Sequence, residues 1–176
     1  MTTMTADVTI RTAVTADREA IRRLVREAFS SEDRDGLEEV DIVDSTWTLD
    51  AGPRDLELVA TEDDAIVGHV MAAVGDLAGR EVVAVAPLAV SPAHQGEGVG
   101  HALMTELLRR AEAAELPLIV LLGFPDYYGR FGFEPSAPLG ISYRLERNPH
   151  FLVRRLARYE PSYRGDFVYC WEVRSD

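Results

Sequence analysis

The stretch from Val85 to Ala114 constrains this chain more than any other. Val85-Ala-Pro-Leu-Ala-Val90 is an apolar run of strand length, and Ser91-Pro-Ala-His94 is a turn. Gln95-Gly-Glu-Gly-Val-Gly100 is a glycine-rich loop, and a helix follows from His101. Val99, Leu103, Leu107 and Ala111 recur every four residues, which lays one apolar stripe along that helix. A chain passing from strand through glycines into helix presents free backbone N–H groups at the helix N-terminus. An anionic group can sit there. Gln95, the only glutamine in the chain, opens the loop.

The segments before it alternate helix and strand. Val8 to Val14 alternates apolar and polar residues, the pattern of a half-buried strand. Thr15 is placed to cap the next helix, with Asp17 and Glu19 in its first turn. Ile21, Leu24, Val25, Ala28 and Phe29 form one face of that helix. Residues 30–55 are acidic and irregular; Leu37–Val43 suits a second short helix, and Asp50–Pro53 a turn. Such a segment either lines a site for a cationic substrate or is a solvated surface loop. Leu56–Thr61 reads as a strand, Glu62–Asp64 as a hairpin turn and Ala65–Leu77 as a long strand. Val67, His69, Met71 and Ala73 share one face of the long strand. His69 is then either a packed strand histidine or a base facing a cleft.

Beyond the helix, Leu118–Leu122 is a continuous apolar run, as in a buried central strand. Pro125 suits the first position of a helix over Asp126–Phe131, which Gly132 ends. Phe131 and Phe133 read as core, and Phe167–Val173 as a last strand holding Cys170 in the core. This order predicts a mixed α/β (α+β) chain: a largely antiparallel central sheet flanked by helices. At 176 residues it suits one domain, 1–176, burying about two-thirds of its unfolded surface.

Charge narrows the partners. The net charge is −12; residues 1–64 hold 17 acids against 7 arginines, and residues 141–176 hold 5 against 7. With no general basic face, nucleic acid is not an expected partner. All 18 basic residues are arginine, so the chain has no lysine of its own to be acylated. No apolar run approaches the ~20 residues of a membrane span. Met1–Asp7 lacks a basic and then apolar leader, and Cys170 is the single cysteine; both favour the cytoplasm. No metal site is expected.

Three glycine-rich readings compete for the loop. A nucleotide-hydrolase phosphate loop needs a lysine, and there is none. A dinucleotide fingerprint from Gly96-x-Gly98 needs a third glycine where His101 stands. Gln-x-x-Gly-x-Gly is met by Gln95, Gly98 and Gly100. Thirty residues on, Tyr128-Gly-Arg-Phe-Gly132-Phe133 follows a strand and short helix. With this pair of motifs the chain resembles the GNAT superfamily of N-acetyltransferases, which joins a Gln/Arg-x-x-Gly-x-Gly/Ala loop to a downstream Tyr-x-x-x-Gly-Phe. The resemblance runs over roughly Ile10 to Glu134.

The resemblance implies an acyl-CoA N-acyltransferase-like fold and transfer of an acetyl group from acetyl-CoA to an amine by direct attack in a ternary complex. It implies that the backbone of Gln95, Gly96, Glu97, Gly98, Val99, Gly100 and His101 binds the coenzyme A pyrophosphate. Leu88, Ala89 and Val90 would run beside the pantetheine arm. Tyr128 takes the family's general-acid position. The family's glutamate base falls at Ala84, with Glu81 three residues earlier, and the asparagine it often carries after the fifth strand is replaced by Gly123-Phe124. His69, an acid from Glu38–Asp44 or a water chain remain as bases. The acidic N-terminal third favours a cationic small-molecule or peptide amine as acceptor. The assembly includes a homodimer among its options. The missing glutamate and asparagine motivate a second reading, a non-catalytic acyl-CoA-binding regulatory module.

Overall fold

The computed structural model describes residues 8–172. The reading of Met1–Asp7 and the strand end at Val173 lie outside the described residues. The chain divides into two compact units. One holds the described residues up to Ala72 together with Ala86–Arg110; the other holds Ala73–Val85 and the described residues from Ala111 on.

The first unit contains β1 (Thr9–Thr12), α1 (Arg18–Phe29), the short pair β2 (Ser30–Ser31) and β3 (Arg34–Asp35), and α2 (Leu37–Thr48). It continues with β4 (Glu57–Glu62), the start of β5 (Ala65–Leu77), the end of β6 (Arg80–Val90) and most of α3 (Val99–Ala113). β1 pairs antiparallel with β4, and β4 with β5. Asp63 and Asp64 both have positive φ, 47° and 65°, which closes the β4–β5 hairpin in the twist-matched sense. Ile21, Leu24 and Val25 of α1 bury with Val43 of α2 against Val59, Met71 and Ala89 of the strands. The apolar stripe of α3 is buried as its four-residue spacing predicts: Leu103, Leu107 and Ala111 are fully covered and Val99 nearly so.

The second unit contains the rest of β5 and β6, then β7 (Leu118–Leu122), α4 (Pro125–Tyr128), β8 (Glu134–Pro135) and β9 (Ile141–Tyr143). It ends with β10 (Phe151–Arg155) and β11 (Gly165–Tyr169). β7 pairs antiparallel with β10, and β10 with β8. β11 runs antiparallel to the end of β5 and parallel to β9. Its core is aromatic: Tyr143 stacks on Phe151 at 5.3 Å, Phe151 on Phe167 at 5.6 Å, and Phe167 meets Tyr169 edge-on. The architecture is mixed α/β with a largely antiparallel sheet and flanking helices. Among the described residues, no helix is long and apolar enough to cross a membrane.

Three local expectations change. Thr15 opens a 3-10 turn, Thr15–Asp17, and does not cap α1; the Asp17 carboxylate instead closes back on the residue before that turn. The Val14 N–H donates to Asp17 Oδ2 at 2.8 Å, and Arg11 donates to both carboxylate oxygens at 2.7 and 2.9 Å. A carboxylate reaches both donors where a hydroxyl cannot. The second helix runs to Thr48, five residues beyond the expected Val43. The last strand stops at Tyr169, and Cys170 and Trp171 lie in a half-buried 3-10 turn. Glu172 turns the chain there, accepting the Tyr169 N–H at 3.1 Å and the Tyr143 hydroxyl at 2.7 Å.

The Arg11 guanidinium holds the Asp17 carboxyl below its usual range. A depressed carboxyl contributes stability above its unfolded pKa and loses it as pH falls through the folded one. Asp17→Ala is expected to cost about 1–2 kcal/mol. Thermal unfolding checks it: at neutral pH Tm falls by about 2–4 °C per kcal/mol, and the gap from the parent protein narrows in acid.

Candidate active site

The loop expected to bind an anion is built for one. Gly96 and Gly98 both adopt the left-handed region, with φ of 81° and 88°. Glycine reaches that region without steric cost. A Cβ added at Gly96 would meet nothing within 4 Å, so the space before the backbone is open. α3 starts at Val99, and its first N–H groups have no partner inside the helix. The helix adds about half a positive charge at that end. Gly96 and Glu97 are exposed, Gly98 and Gly100 half-buried, Val99 buried and His101 exposed. These features fit a diphosphate held by backbone rather than by cationic side chains.

Two side chains set the loop's position. Gln95 donates from Nε2 to the Val90 carbonyl at 3.1 Å, tying the loop back to the end of β6. His94 Nε2 lies 2.9 Å from Glu62 Oε2, which pins the preceding turn to the end of β4. Sequence reading picked Gln95 for its place in the motif and passed over His94. Leu88 and Val90 are half-buried, whereas Ala89 is 2% exposed and packs in the core with Met71. The parallel ladder of β6 with β7 covers Val83 and Ala84, and among the described residues it extends no further along β6. The ten residues predicted for the coenzyme all lie in the first unit, and Tyr128 lies in the second.

Tyr128 ends α4 inside an aromatic group. Tyr127 meets its ring edge-on at 4.9 Å, Phe133 does so at 5.9 Å, and Phe131 lies tilted at 6.5 Å. Phe131 and Phe133 are buried, as expected for core. Burial, and then the neighbouring Tyr127, push the Tyr128 phenol up to about 12. It therefore stays protonated through the physiological range. Gly123, two residues before α4, accounts for the absent asparagine. A Cβ at Gly123 would lie 2.3 Å from Tyr128 Cε2, so the ring occupies the space any side chain would need.

The first unit also holds a cavity of about 340 Å³. Arg18 of α1, Thr46 and Trp47 of α2, Asp50, Glu57 of β4 and Met71 of β5 are among its walls. Glu57 is the polar centre. Trp47 Nε1 donates to Glu57 Oε1 at 3.0 Å, and His69 Nε2 lies 3.1 Å from the same oxygen. His69 is fully buried and its Nδ1 has no partner. The Nε2–H tautomer donates to Glu57 and leaves Nδ1 as a bare acceptor. His69 thus faces a carboxylate and holds it; the carboxylate lines the cavity. Glu39 pairs with Arg34, Asp44 with Arg22, and Glu38, Asp41 and Glu81 are exposed.

Sequence reasoning missed Glu57, and the reason is a register shift. Glu62 pairs with Ala65 and Thr61 with Ile66, but Ala60 pairs with Gly68 and Glu57 with Met71. Extending the hairpin without the irregularity would set Glu57 opposite Val70, on the other face from His69. A one-residue slip reverses every side chain. The bulge brings Glu57 and His69 to one face as diagonal neighbours. The signal available in sequence was a glutamate opening β4 directly before the apolar run Leu58-Val59-Ala60.

The chain matches the family described as Acetyltransferase (GNAT) domain over residues 9–136. The chain belongs to the GNAT acetyltransferase family. It is 33% identical over 152 residues to the uncharacterized N-acetyltransferase YhbS of Escherichia coli K12, covering 84% of this chain and 87% of that protein. It is 30% identical over 126 residues to the uncharacterized N-acetyltransferase YjhQ of the same strain, covering 69% and 67%. Among solved structures, the E. coli GNAT family N-acetyltransferase YhbS in complex with CoA superposes with a TM-score of 0.81 at 29% identity, over 92% of this chain and 89% of that one. A Brucella melitensis GNAT family acetyltransferase in complex with acetyl-CoA gives 0.77 at 30% identity, over 93% and 96%.

Gly123→Ala tests the packing beneath the tyrosine. The added methyl must displace the Tyr128 ring. Near-UV circular dichroism should change in the tyrosine band, with a loss of about 1–3 kcal/mol from overpacking read by urea unfolding.

Proposed function

We propose that the chain works as one acetyltransferase domain, moving an acetyl group from acetyl-CoA to an amine by direct attack in a ternary complex. The cradle of Gln95, Gly96, Glu97, Gly98, Val99, Gly100 and His101 carries this reading. Its backbone binds the coenzyme's pyrophosphate at the start of α3. The N–H and C=O groups of Leu88, Ala89 and Val90 receive the amides of the pantetheine arm. The bound thioester supplies an activated acyl carbon.

The neutral amine nitrogen bonds to that carbon as the carbon–sulfur bond breaks, the electron pair leaves on sulfur, and the proton that the new amide nitrogen sheds goes to the thiolate, giving the amide and the CoA thiol. The acceptor arrives as an ammonium ion and must first lose a proton. Glu57 takes it, with Trp47 and His69 fixing Oε1. Tyr128 donates its hydroxyl to the departing sulfur. An alkyl thiol is ordinarily a stronger acid than this phenol, with a pKa of about 8.5. Full proton transfer from the phenol is therefore uphill even to the completed thiolate, and the phenol acts as a hydrogen-bond donor to the charge that builds on sulfur.

Magnitudes rank these contributions. Holding both reactants in line supplies ~7–11 kcal/mol of the barrier. Acid–base help supplies ~10²–10⁴-fold, a smaller share. Loss of the cradle should be more damaging than loss of Tyr128.

A thermal-shift titration with CoA and acetyl-CoA checks the coenzyme: at ~100 times Kd the protein gains about 2.7 kcal/mol. No shift with either ligand refutes the reading. Tyr128→Phe should keep that shift while kcat in a thiol-release assay falls ~10²-fold. Because the phenol is raised, its protonated form persists to about pH 12. Any alkaline fall in kcat below pH 10 should then be identical in parent and Tyr128→Phe.

A further inference from the structure

The cavity beside Glu57 carries charges of both signs. Glu57 and Asp50 supply carboxylates, and Arg18 supplies a guanidinium. The Arg18 guanidinium lies 4.9 Å from the centre of the Trp47 ring, which holds it over an aromatic face. Its neighbour Arg22 lies over the same ring at 5.4 Å, but its Nε is bound to Asp44 at 2.7 Å. Among the described residues Arg18 makes no ion pair, so its five N–H donors remain for a ligand. Asp50 stands in the left-handed region, with φ of 48°, where α2 has ended. Threonines 12, 15 and 46 add hydroxyls, and Met71 gives an apolar floor.

We propose that this cavity is the acceptor site and that it selects a small amine also bearing an anionic group, the chemistry of a free amino acid. The proposal rests on the acetyltransferase reading above. Glu57 receives the ammonium end. Arg18 receives the anionic end, in the bidentate geometry that guanidinium offers a carboxylate. The volume, about 340 Å³, lies at the small end of the range for small-molecule sites, about 300–1,000 Å³. That favours a free small molecule over a peptide chain.

The test is thiol release from acetyl-CoA with the full-length protein. The probes are the free L-amino acids, each against its decarboxylated amine, such as lysine against cadaverine and leucine against isoamylamine. For the best pair, kcat/KM should favour the amino acid by ~10-fold or more, the worth of one charge-assisted contact. Arg18→Gln should reduce that preference to near unity through KM rather than kcat, and Arg18→Lys should restore part of it. Amines that serve as well as their amino acids overturn the proposal, and so does a preference that survives Arg18→Gln. No amino acid turned over, with the CoA thermal shift intact, also overturns it while leaving the coenzyme reading in place. Loss of the CoA shift in the parent protein refutes the acetyltransferase reading itself.

Discussion

The pairing of β4 with β5 is the constraint on which the first unit depends. It begins at a two-aspartate turn and changes register between Ala60 and Thr61. Everything N-terminal to that bulge on β4 is set by the shift. It places Val59 with Met71 in the core under α1 and α2, and it places Glu57 beside His69. β1 reads its own position from β4, with Thr12 opposite Leu58. A bulge costs one ladder position and gains a different face for every residue before it. Here the residue so re-aimed is a carboxylate at a cavity.

The polar groups of this unit are held in a graded way. Glu57 Oε1 receives two donors, from Trp47 and His69. A fixed, half-buried acceptor of that kind is costly to leave unmet and strong when met. His69 has its second nitrogen unsatisfied, so its burial is supported through the carboxylate alone. The glycine loop shows the opposite strategy. It offers backbone N–H groups at a helix end, which need no cationic side chain. A chain with 30 acidic residues and a net charge of −12 can therefore still offer a local anion site.

Much of the fold was legible because its elements carry strong periods. Ala65–Leu77 and Leu118–Leu122 appear with the bounds their patterns suggest, and α3 buries the stripe its spacing dictates. The weaker segments were read less well. α2 was under-extended because Asp44, Ser45 and Thr46 break a simple apolar pattern; the helix tolerates them because Asp44 pairs with Arg22 and the Thr46 hydroxyl bonds the Ile42 carbonyl. Gly123 looked like a missing asparagine, yet its absent side chain is filled by a ring five residues on.

The sequence by itself determined the family, the glycine-rich turn into α3 and the place of the tyrosine after a short apolar strand. These depend on contiguous spacing, which local backbone geometry translates directly: glycines at Gly96 and Gly98 take positive φ, and Val99 starts a helix. Only the tertiary structure decided which carboxylate meets His69, and that Arg18, Asp50 and Glu57 share one cavity. Those residues come from a helix, the turn after a second helix and a strand. Their meeting depends on a register shift of one residue, in which β5 carries the extra residue, Val67, beside Gly68, and the partner of that pair lies on another strand.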